Sequence, residues 1–129
     1  MNPSKRILVI DDDDGVREII QISLEVAAGW EVLTAASGSE GLVLAATEKP
    51  DAILLDVMMP DMDGATTFGE LRQNPTTQNI PTILLTAKAK VSEKQQFIKL
   101  GVTGVITKPF EAMALVCQIR EILHWNENA

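Results

Sequence analysis

Five short apolar runs alternate along the chain with segments whose apolar residues recur at helical spacing, and this alternation restricts the possible folds most strongly. The runs are Ile7–Ile10, Glu31–Ala35, Ala52–Leu55, Ile80–Leu85 and Gly104–Ile106. Runs this short and apolar are typical of strands buried on both faces. Strands that alternate with helices form a parallel sheet with helices on both faces. We therefore predict an α/β fold with a five-stranded parallel sheet, for which 2-1-3-4-5 is the leading strand order.

The segments between the runs begin and end as helices do. The predicted helices run from Val16 to Gly29, from Ser37 or Ser39 to before Pro50, from Gly64 to Gln73, from Ser92 to Gly101, and from Phe110 through Leu123. Acidic residues before the first helix suit its amino terminus, and serine is a favourable cap for the second. The 129 residues contain no repeat, no low-complexity tract and no linker, so we predict a single domain over residues 1–129.

Composition narrows the possible partners of the chain. The formal net charge is −7, and no basic cluster rises above the background, so we expect no binding of nucleic acid. No segment has the pattern of a signal peptide or the length of a membrane span, so we expect a cytoplasmic protein that does not bind membranes. The single cysteine, Cys117, excludes an internal disulfide and is expected to be a small core residue of the last helix.

Polar residues follow four of the predicted strands at their carboxyl ends, where open parallel sheets gather their ligands. Residues 11–13 are aspartates after the first strand, Asp56 closes the third, Thr86 follows the fourth and Lys108 follows the fifth. Carboxylates that share a pocket repel one another, and a divalent cation such as Mg²⁺ relieves that repulsion. Lys108 offers a positive charge, and the Thr86 hydroxyl can donate a hydrogen bond to an anion.

This set of residues suits phosphoryl transfer, in which positioning and charge neutralisation supply most of the catalysis. Asp56 is the predicted nucleophile, because a carboxylate can form an acyl phosphate. The sequence contains no nucleotide-binding motif of the P-loop or dinucleotide type, so the phosphoryl donor is expected to be another molecule.

Four motifs resemble those of the receiver domain of two-component response regulators, in the same order along the chain. They are Ile-Leu-Val-Ile-Asp-Asp-Asp at 7–13, Leu-Leu-Asp-Val-Met-Met-Pro-Asp-Met-Asp-Gly at 54–64, Leu-Leu-Thr-Ala at 84–87 and Thr-Lys-Pro-Phe at 107–110. The resemblance covers almost the whole chain. It implies a flavodoxin-like fold and a regulator of the single-domain, chemotaxis type.

The resemblance also implies roles for residues around a Mg²⁺ site. Asp56 matches the phosphoacceptor of the family and is itself a metal ligand. Asp12 matches the principal metal ligand, and Asp11 is expected to assist through a water molecule. Met58 is expected to give its backbone carbonyl to the metal. Met58 lies two residues beyond Asp56, and Lys88 lies two residues beyond Thr86. Both side chains are expected to limit access of hydrolytic water to the phosphoryl group.

The remaining motif residues are those expected to link phosphorylation to a change at the protein surface. Thr86 matches the switch hydroxyl and Lys108 the lysine of the family, and the bond before Pro109 is expected to be cis. Family members often have Tyr or Phe three residues before that lysine, but this chain has Val105 there and contains no tyrosine. The usual movement of an aromatic ring is therefore not expected, although the surface of the fourth helix, fifth strand and fifth helix remains the expected output.

The resemblance implies a signalling function instead of a metabolic one. A histidine kinase or a histidine phosphotransfer protein is the expected donor, and an unknown protein is the downstream target. The chain would not be an enzyme, apart from catalysing its own phosphorylation and dephosphorylation. One alternative is a phosphatase-like hydrolase with Asp56 as nucleophile, although the position expected for its general acid is Met58. Another is a pseudo-receiver that binds partners without phosphorylation.

Overall fold

The computed structural model describes residues 5–59, 62–87 and 91–125, and it has five strands and five helices in strict alternation. The elements are β1 (Arg6–Ile10), α1 (Asp14–Ala28), β2 (Glu31–Ala35), α2 (Gly38–Glu48), β3 (Ala52–Asp56), α3 (Gly64–Gln73), β4 (Thr82–Thr86), α4 (Val91–Leu100), β5 (Gly104–Thr107) and α5 (Ala112–Leu123). All strand pairs are parallel, and the order is β2-β1-β3-β4-β5. The predicted flavodoxin-like sheet is therefore confirmed.

Three predicted element starts are wrong by two residues, and one of them is that of α1, which begins at Asp14 instead of Val16. The strand expected from Ile80 begins at Thr82. Ile80 lies in a turn, where its N–H donates to the Thr77 carbonyl at 3.1 Å, and Pro81 has no N–H to donate to a neighbouring strand. The helix expected from Phe110 begins at Ala112, because the backbone of Glu111 is extended.

The two faces of the sheet carry separate hydrophobic clusters, as expected for a parallel sheet covered by helices. Alternate residues of β1 point to opposite faces, so that Ile7 and Val9 belong to the first cluster and Leu8 and Ile10 to the second. Helices α1 and α5 cover the first cluster, and helices α2 and α3 cover the second. Side chains from these helices are fully or almost fully buried: Ile20, Leu24, Leu115, Ile119, Ala45, Phe68 and Leu71. Each large apolar side chain contributes about 1.5–3 kcal/mol of transfer free energy.

Cys117 is exposed on α5, so its predicted place in the core is wrong. The helical spacing of α5 assigns the core to Leu115, Val116 and Ile119, and Cys117 lies on the other side of the helix. Within the part of the chain that the structure describes, no helix combines the length and apolar character required to cross a membrane.

The strand register gathers the polar residues at one edge of the sheet. Asp56, the last residue of β3, pairs in register with Leu85 of β4, and Thr86 pairs with Thr107 of β5. Asp11 directly follows β1, the other neighbour of β3, and its N–H donates to the Ala35 carbonyl of β2 at 3.1 Å. The carboxyl ends of adjacent strands therefore form one surface.

Candidate functional site

Three carboxylates converge at the carboxyl ends of the neighbouring strands β1 and β3. One oxygen each of Asp11, Asp12 and Asp56 lies within 4.8 Å of the others. Asp11 is fully buried and Asp56 is 5% exposed, whereas Asp12 is exposed. Carboxylate oxygens are the ligands that hard divalent cations such as Mg²⁺ prefer, and their mutual repulsion favours a cation between them. This cluster can therefore hold a metal ion.

Lys108 bridges the two buried acids of the cluster. Its Nζ lies 3.1 Å from Asp11 Oδ2 and 3.1 Å from Asp56 Oδ1. The Lys108 N–H donates to the Thr86 carbonyl at 2.7 Å, which anchors the end of β5 to the end of β4. The Lys108–Pro109 bond is cis, as the motif predicts. The lysine is thus tied to β4 by its backbone and to β1 and β3 by its side chain.

The environment moves the pKa values of Asp56 and Lys108 upward for different reasons. Burial raises the pKa of Asp56, the Asp11 charge adds to this effect, and Lys108 only partly opposes them. Burial by itself lowers the pKa of Lys108, but the hydrogen bonds and charges of Asp11 and then Asp56 outweigh it, so that the pKa of Lys108 is raised. One ammonium faces two carboxylates, so the lysine is firmly charged while Asp56 lacks full compensation.

Thr86 and Met58 flank this cluster. Thr86 is 1% exposed at the end of β4, one residue beyond the partner of Asp56 in the ladder. The Met58 N–H approaches Asp56 Oδ1 at 3.4 Å, and Met58 is 65% exposed. Lys88, which the resemblance leads us to expect near a bound phosphoryl group, lies outside the described residues, as do residues 60, 61, 89 and 90.

A close backbone approach fixes the segment that follows Asp56. The Gly64 N–H donates to the Val57 carbonyl at 2.8 Å. A Cβ atom on Gly64 would lie 2.7 Å from the Val57 Cα and 2.8 Å from the Asp56 carbonyl oxygen, so only glycine fits there. Asp63 caps α3 by accepting the Thr66 N–H at 2.7 Å, and hydrogen bonds from Thr66 lower the pKa of Asp63. These contacts anchor the chain on the carboxyl side of the site.

The loop between β1 and α1 is held by its own acids and by one arginine. Asp11 Oδ1 accepts the Asp13 N–H at 2.9 Å, and Asp13 Oδ1 caps α1 by accepting the Val16 N–H at 3.1 Å. Arg17 Nη1 donates to the Asp11 carbonyl at 2.7 Å, and Arg17 Nη2 pairs with Asp14. The sequence motifs do not indicate Arg17, although a basic side chain in the first turn of a helix, where it opposes the helix dipole, is a signal that the sequence contains.

Val105 lies on β5, three residues before Lys108, in the position where relatives often have an aromatic residue. It is half-buried and packs against the second cluster together with Phe97 of α4. A valine has few rotamers, so its side chain cannot swing between two positions as a large ring can.

Comparison with known proteins places these features in a family. The family model described as the response regulator receiver domain matches residues 7–120. The chain is 39% identical over 126 residues to the alkaline phosphatase synthesis transcriptional regulatory protein PhoP of Bacillus subtilis, covering 98% of this chain and 51% of that protein. It is 38% identical over 118 residues to the DNA-binding dual master transcriptional regulator RpaA of Synechocystis, covering 92% of this chain and 48% of that protein.

A solved structure agrees with the sequence matches. The structure of the chemotaxis response regulator CheY4 of Vibrio cholerae superposes with a TM-score of 0.87 at 31% identity, covering 93% of this chain and 99% of that one. The chain spans about half the length of the two regulators named above. These matches favour a receiver over a phosphatase-like hydrolase or a phosphorylation-independent binding module. The chain belongs to the receiver domain family of two-component response regulators.

Proposed function

We propose that Asp56 is the residue that accepts the phosphoryl group and that residues 1–129 act as one switch domain. The observation that carries this proposal is the surroundings of Asp56, which lies at the end of β3 with Lys108 Nζ 3.1 Å from its Oδ1. Asp12 lies in the same carboxylate group and reaches solvent. A nucleophile, a fixed cation and a group of hard ligands are the parts that phosphoryl transfer requires.

In the proposed reaction, a carboxylate oxygen of Asp56 attacks the phosphorus of a phosphohistidine. The new O–P bond forms as the P–N bond breaks, and the electron pair of that bond leaves with the imidazole nitrogen. Lys108 neutralises charge on the acceptor and on the transferred group, and the Thr86 hydroxyl donates a hydrogen bond to the phosphoryl group. The chain catalyses its own phosphorylation and dephosphorylation in this scheme and acts on no other substrate.

The acidic cluster would hold Mg²⁺ in this function. Asp12 and Asp56 are the proposed direct ligands, the Met58 backbone carbonyl is a third, and Asp11 contributes through a water molecule. The ion supplies positive charge to the transferring phosphoryl group. The hydrogen bonds of Asp11 support an indirect role for it, because both of its carboxylate oxygens already accept one, from the Asp13 N–H and from Lys108.

The proposed partners follow from this chemistry. A histidine kinase or a histidine phosphotransfer protein supplies the phosphoryl group, and an unidentified protein binds the α4-β5-α5 surface in one of its two states. PhoP and RpaA are described as transcriptional regulators, but the net charge of −7 supports a domain that does not itself bind nucleic acid. We place the chain in the cytoplasm, without membrane contact.

Intact-mass analysis after treatment with acetyl phosphate or phosphoramidate tests the proposal. The wild-type protein should gain one phosphoryl group, and only with Mg²⁺ present, whereas Asp56→Asn should gain none. Asp51→Asn is the matched control, because Asp51 is an exposed acid at the opposite edge of the sheet. Undiminished incorporation in Asp56→Asn would refute the assignment.

A further inference from the structure

Arg17 occupies a position that is unfavourable for its charge. It lies in the first turn of α1, where a positive side chain opposes the helix dipole. Its side chain is nevertheless only 18% exposed. Helical side chains lean toward the amino terminus of their helix, and this direction carries the guanidinium back over the loop between β1 and α1. Contacts with that loop must therefore compensate for the unfavourable position.

The principal contact orients one peptide plane. Arg17 Nη1 donates to the backbone carbonyl of Asp11 at 2.7 Å, while Nη2 pairs with Asp14 at the start of the helix. The Asp11 carbonyl belongs to the planar peptide group that joins Asp11 to Asp12. A hydrogen bond that fixes this carbonyl therefore also fixes the direction in which the chain enters Asp12.

Asp12 depends on its backbone more than the other acids of the cluster do. Asp11 is held at both carboxylate oxygens, by the Asp13 N–H and by Lys108, and Asp56 is held by Lys108 and approached by the Met58 N–H. Asp12 is exposed, and its carboxylate accepts no hydrogen bond from the residues described in the structure. The position of the Asp12 carboxylate beside Asp11 and Asp56 is therefore set by the backbone that Arg17 orients.

We propose that Arg17 is a positioning residue for the cation site and acts through the Asp11–Asp12 peptide. The proposal rests on the proposed function, because the site serves signalling only if it holds Mg²⁺. The positive charge of Arg17 has the opposite effect, since a cation near the cluster repels Mg²⁺. Loss of the orienting hydrogen bond should therefore weaken Mg²⁺ binding, whereas loss of the positive charge should strengthen it. This difference makes the proposal testable.

Two substitutions at Arg17 separate these effects. Arg17→Lys keeps the charge but loses the planar donor fork, and Arg17→Met loses both. We expect both variants to bind Mg²⁺ about tenfold more weakly in calorimetric titration, the usual size of an effect from a residue that orients a metal ligand. If the charge dominates, Arg17→Met will bind more tightly and Arg17→Lys like the wild type, and that result overturns the proposal.

Arg72→Met is the matched control for the loss of a positive charge. Arg72 is on α3, its guanidinium lies 5.6 Å from the centre of the Phe68 ring, and its contacts among the described residues are with Phe68 and the Gly101 carbonyl, not with the acidic cluster. We expect its Mg²⁺ affinity to equal that of the wild type. Circular dichroism at the titration temperature checks that each variant is folded.

A double-mutant cycle shows whether Arg17 acts through Asp12. In an Asp12→Ala background, Arg17→Lys should cause no further loss of Mg²⁺ affinity, whereas a general structural effect would still weaken binding. Undiminished loss in that background overturns the positioning role, as does wild-type affinity in both Arg17 variants. A wild-type protein that binds no Mg²⁺ instead contradicts the proposed function and this inference together.

Discussion

The two edges of the sheet each place one cation between two carboxylates, but in different surroundings. At the carboxyl edge, Lys108 lies between Asp11 and Asp56. At the amino edge, Arg6 lies between Glu31 and Glu48, with Nε and Nη2 each 2.8 Å from a carboxylate oxygen. Each of these cations pairs with two carboxylates, so the contrast between the two groups lies mainly in burial and geometry.

The carboxylates of the two groups differ in their exposure to solvent. The Asp11 and Asp56 side chains are 0% and 6% exposed, whereas those of Glu31 and Glu48 are 57% and 44% exposed. The hydrogen bonds that Arg6 donates to Glu48 and then to Glu31 raise the pKa of Arg6, and those carboxylates also reach water. We infer that the exposed charges tie the ends of strands together, whereas the buried and under-compensated carboxylate of Asp56 is better suited to chemistry.

Removing the central cation at each edge should reveal this difference most strongly. Lys108→Met should lower the free energy of unfolding in metal-free buffer by about 3 kcal/mol, because two buried carboxylates lose their counter-charge. Arg6→Met should lower it by about 1 kcal/mol or less, since solvent screens the exposed pairs. Urea denaturation followed by circular dichroism, with EDTA present, measures both values. Equal losses would mean that burial does not distinguish the two edges.

Removing an acid from the carboxyl edge should affect Mg²⁺ binding instead of the free energy of unfolding. Asp12→Ala should weaken Mg²⁺ binding by tenfold or more, about 1.4 kcal/mol, because a charged ligand is lost. The metal-free protein should not be destabilised, since repulsion within the acidic cluster falls. Asp51→Ala at the amino edge is the control, and its Mg²⁺ affinity should match that of the wild type. Calorimetric titration that gives the same affinity for Asp12→Ala and the wild type would contradict this prediction.

Asp63 and Asp56 are expected to contribute to stability with opposite pH dependences. The pKa of Asp63 is lowered, so its contribution is present above the ordinary value of 3.8 and is lost as the pH falls through the folded pKa. Asp63→Ala should therefore cost about 1 kcal/mol at pH 7, the usual value of a helix cap, and less in acid. The pKa of Asp56 is raised, so its ionisation opposes folding above the folded pKa, and Asp56→Asn should stabilise the metal-free protein at pH 7.

Denaturation at pH 7 and at a pH below 3.8 distinguishes the two acids. The loss caused by Asp63→Ala and the gain caused by Asp56→Asn should both shrink in acid. If the gain from Asp56→Asn persisted there, it would not come from ionisation of the carboxyl group.

The sequence predicted the sheet order and the residues at its functional edge because both depend on local patterns. Apolar runs ending in a polar residue define strands and their ends, and parallel pairing then places those ends together. The partners of Lys108 and the contact of Arg17 with the Asp11 carbonyl could not be predicted in this way. They depend on the directions of long side chains that cross from one element to another, which hydrophobic periodicity does not encode.

The smallest expected effect concerns the route by which phosphorylation changes the protein surface. A phosphoryl group adds about −1.5 to −2 charges, and Thr86 and Lys108 are the donors proposed to approach it. Movement of Thr86 would pull on the segment 87–91, most of which lies outside the described residues, and through it on α4. The described side chains of α4 are all exposed or half-buried, so we expect this helix to resist displacement less than the helices that have buried side chains.

Val105 is too short to report such a movement, so we expect the segment from Ala87 to Leu100 to carry most of the change as a population shift. Val105→Tyr should leave phosphorylation of Asp56 nearly unchanged, whereas Thr86→Ala should uncouple phosphorylation from partner binding. Amide exchange with and without beryllofluoride, a phosphoryl mimic, measures the route directly. Protection should change between Ala87 and Leu100 in the wild type and much less in Thr86→Ala. A change confined to Gly104–Ile106 would instead identify β5 as the route, and it would show that a half-buried valine can transmit the signal without an aromatic ring.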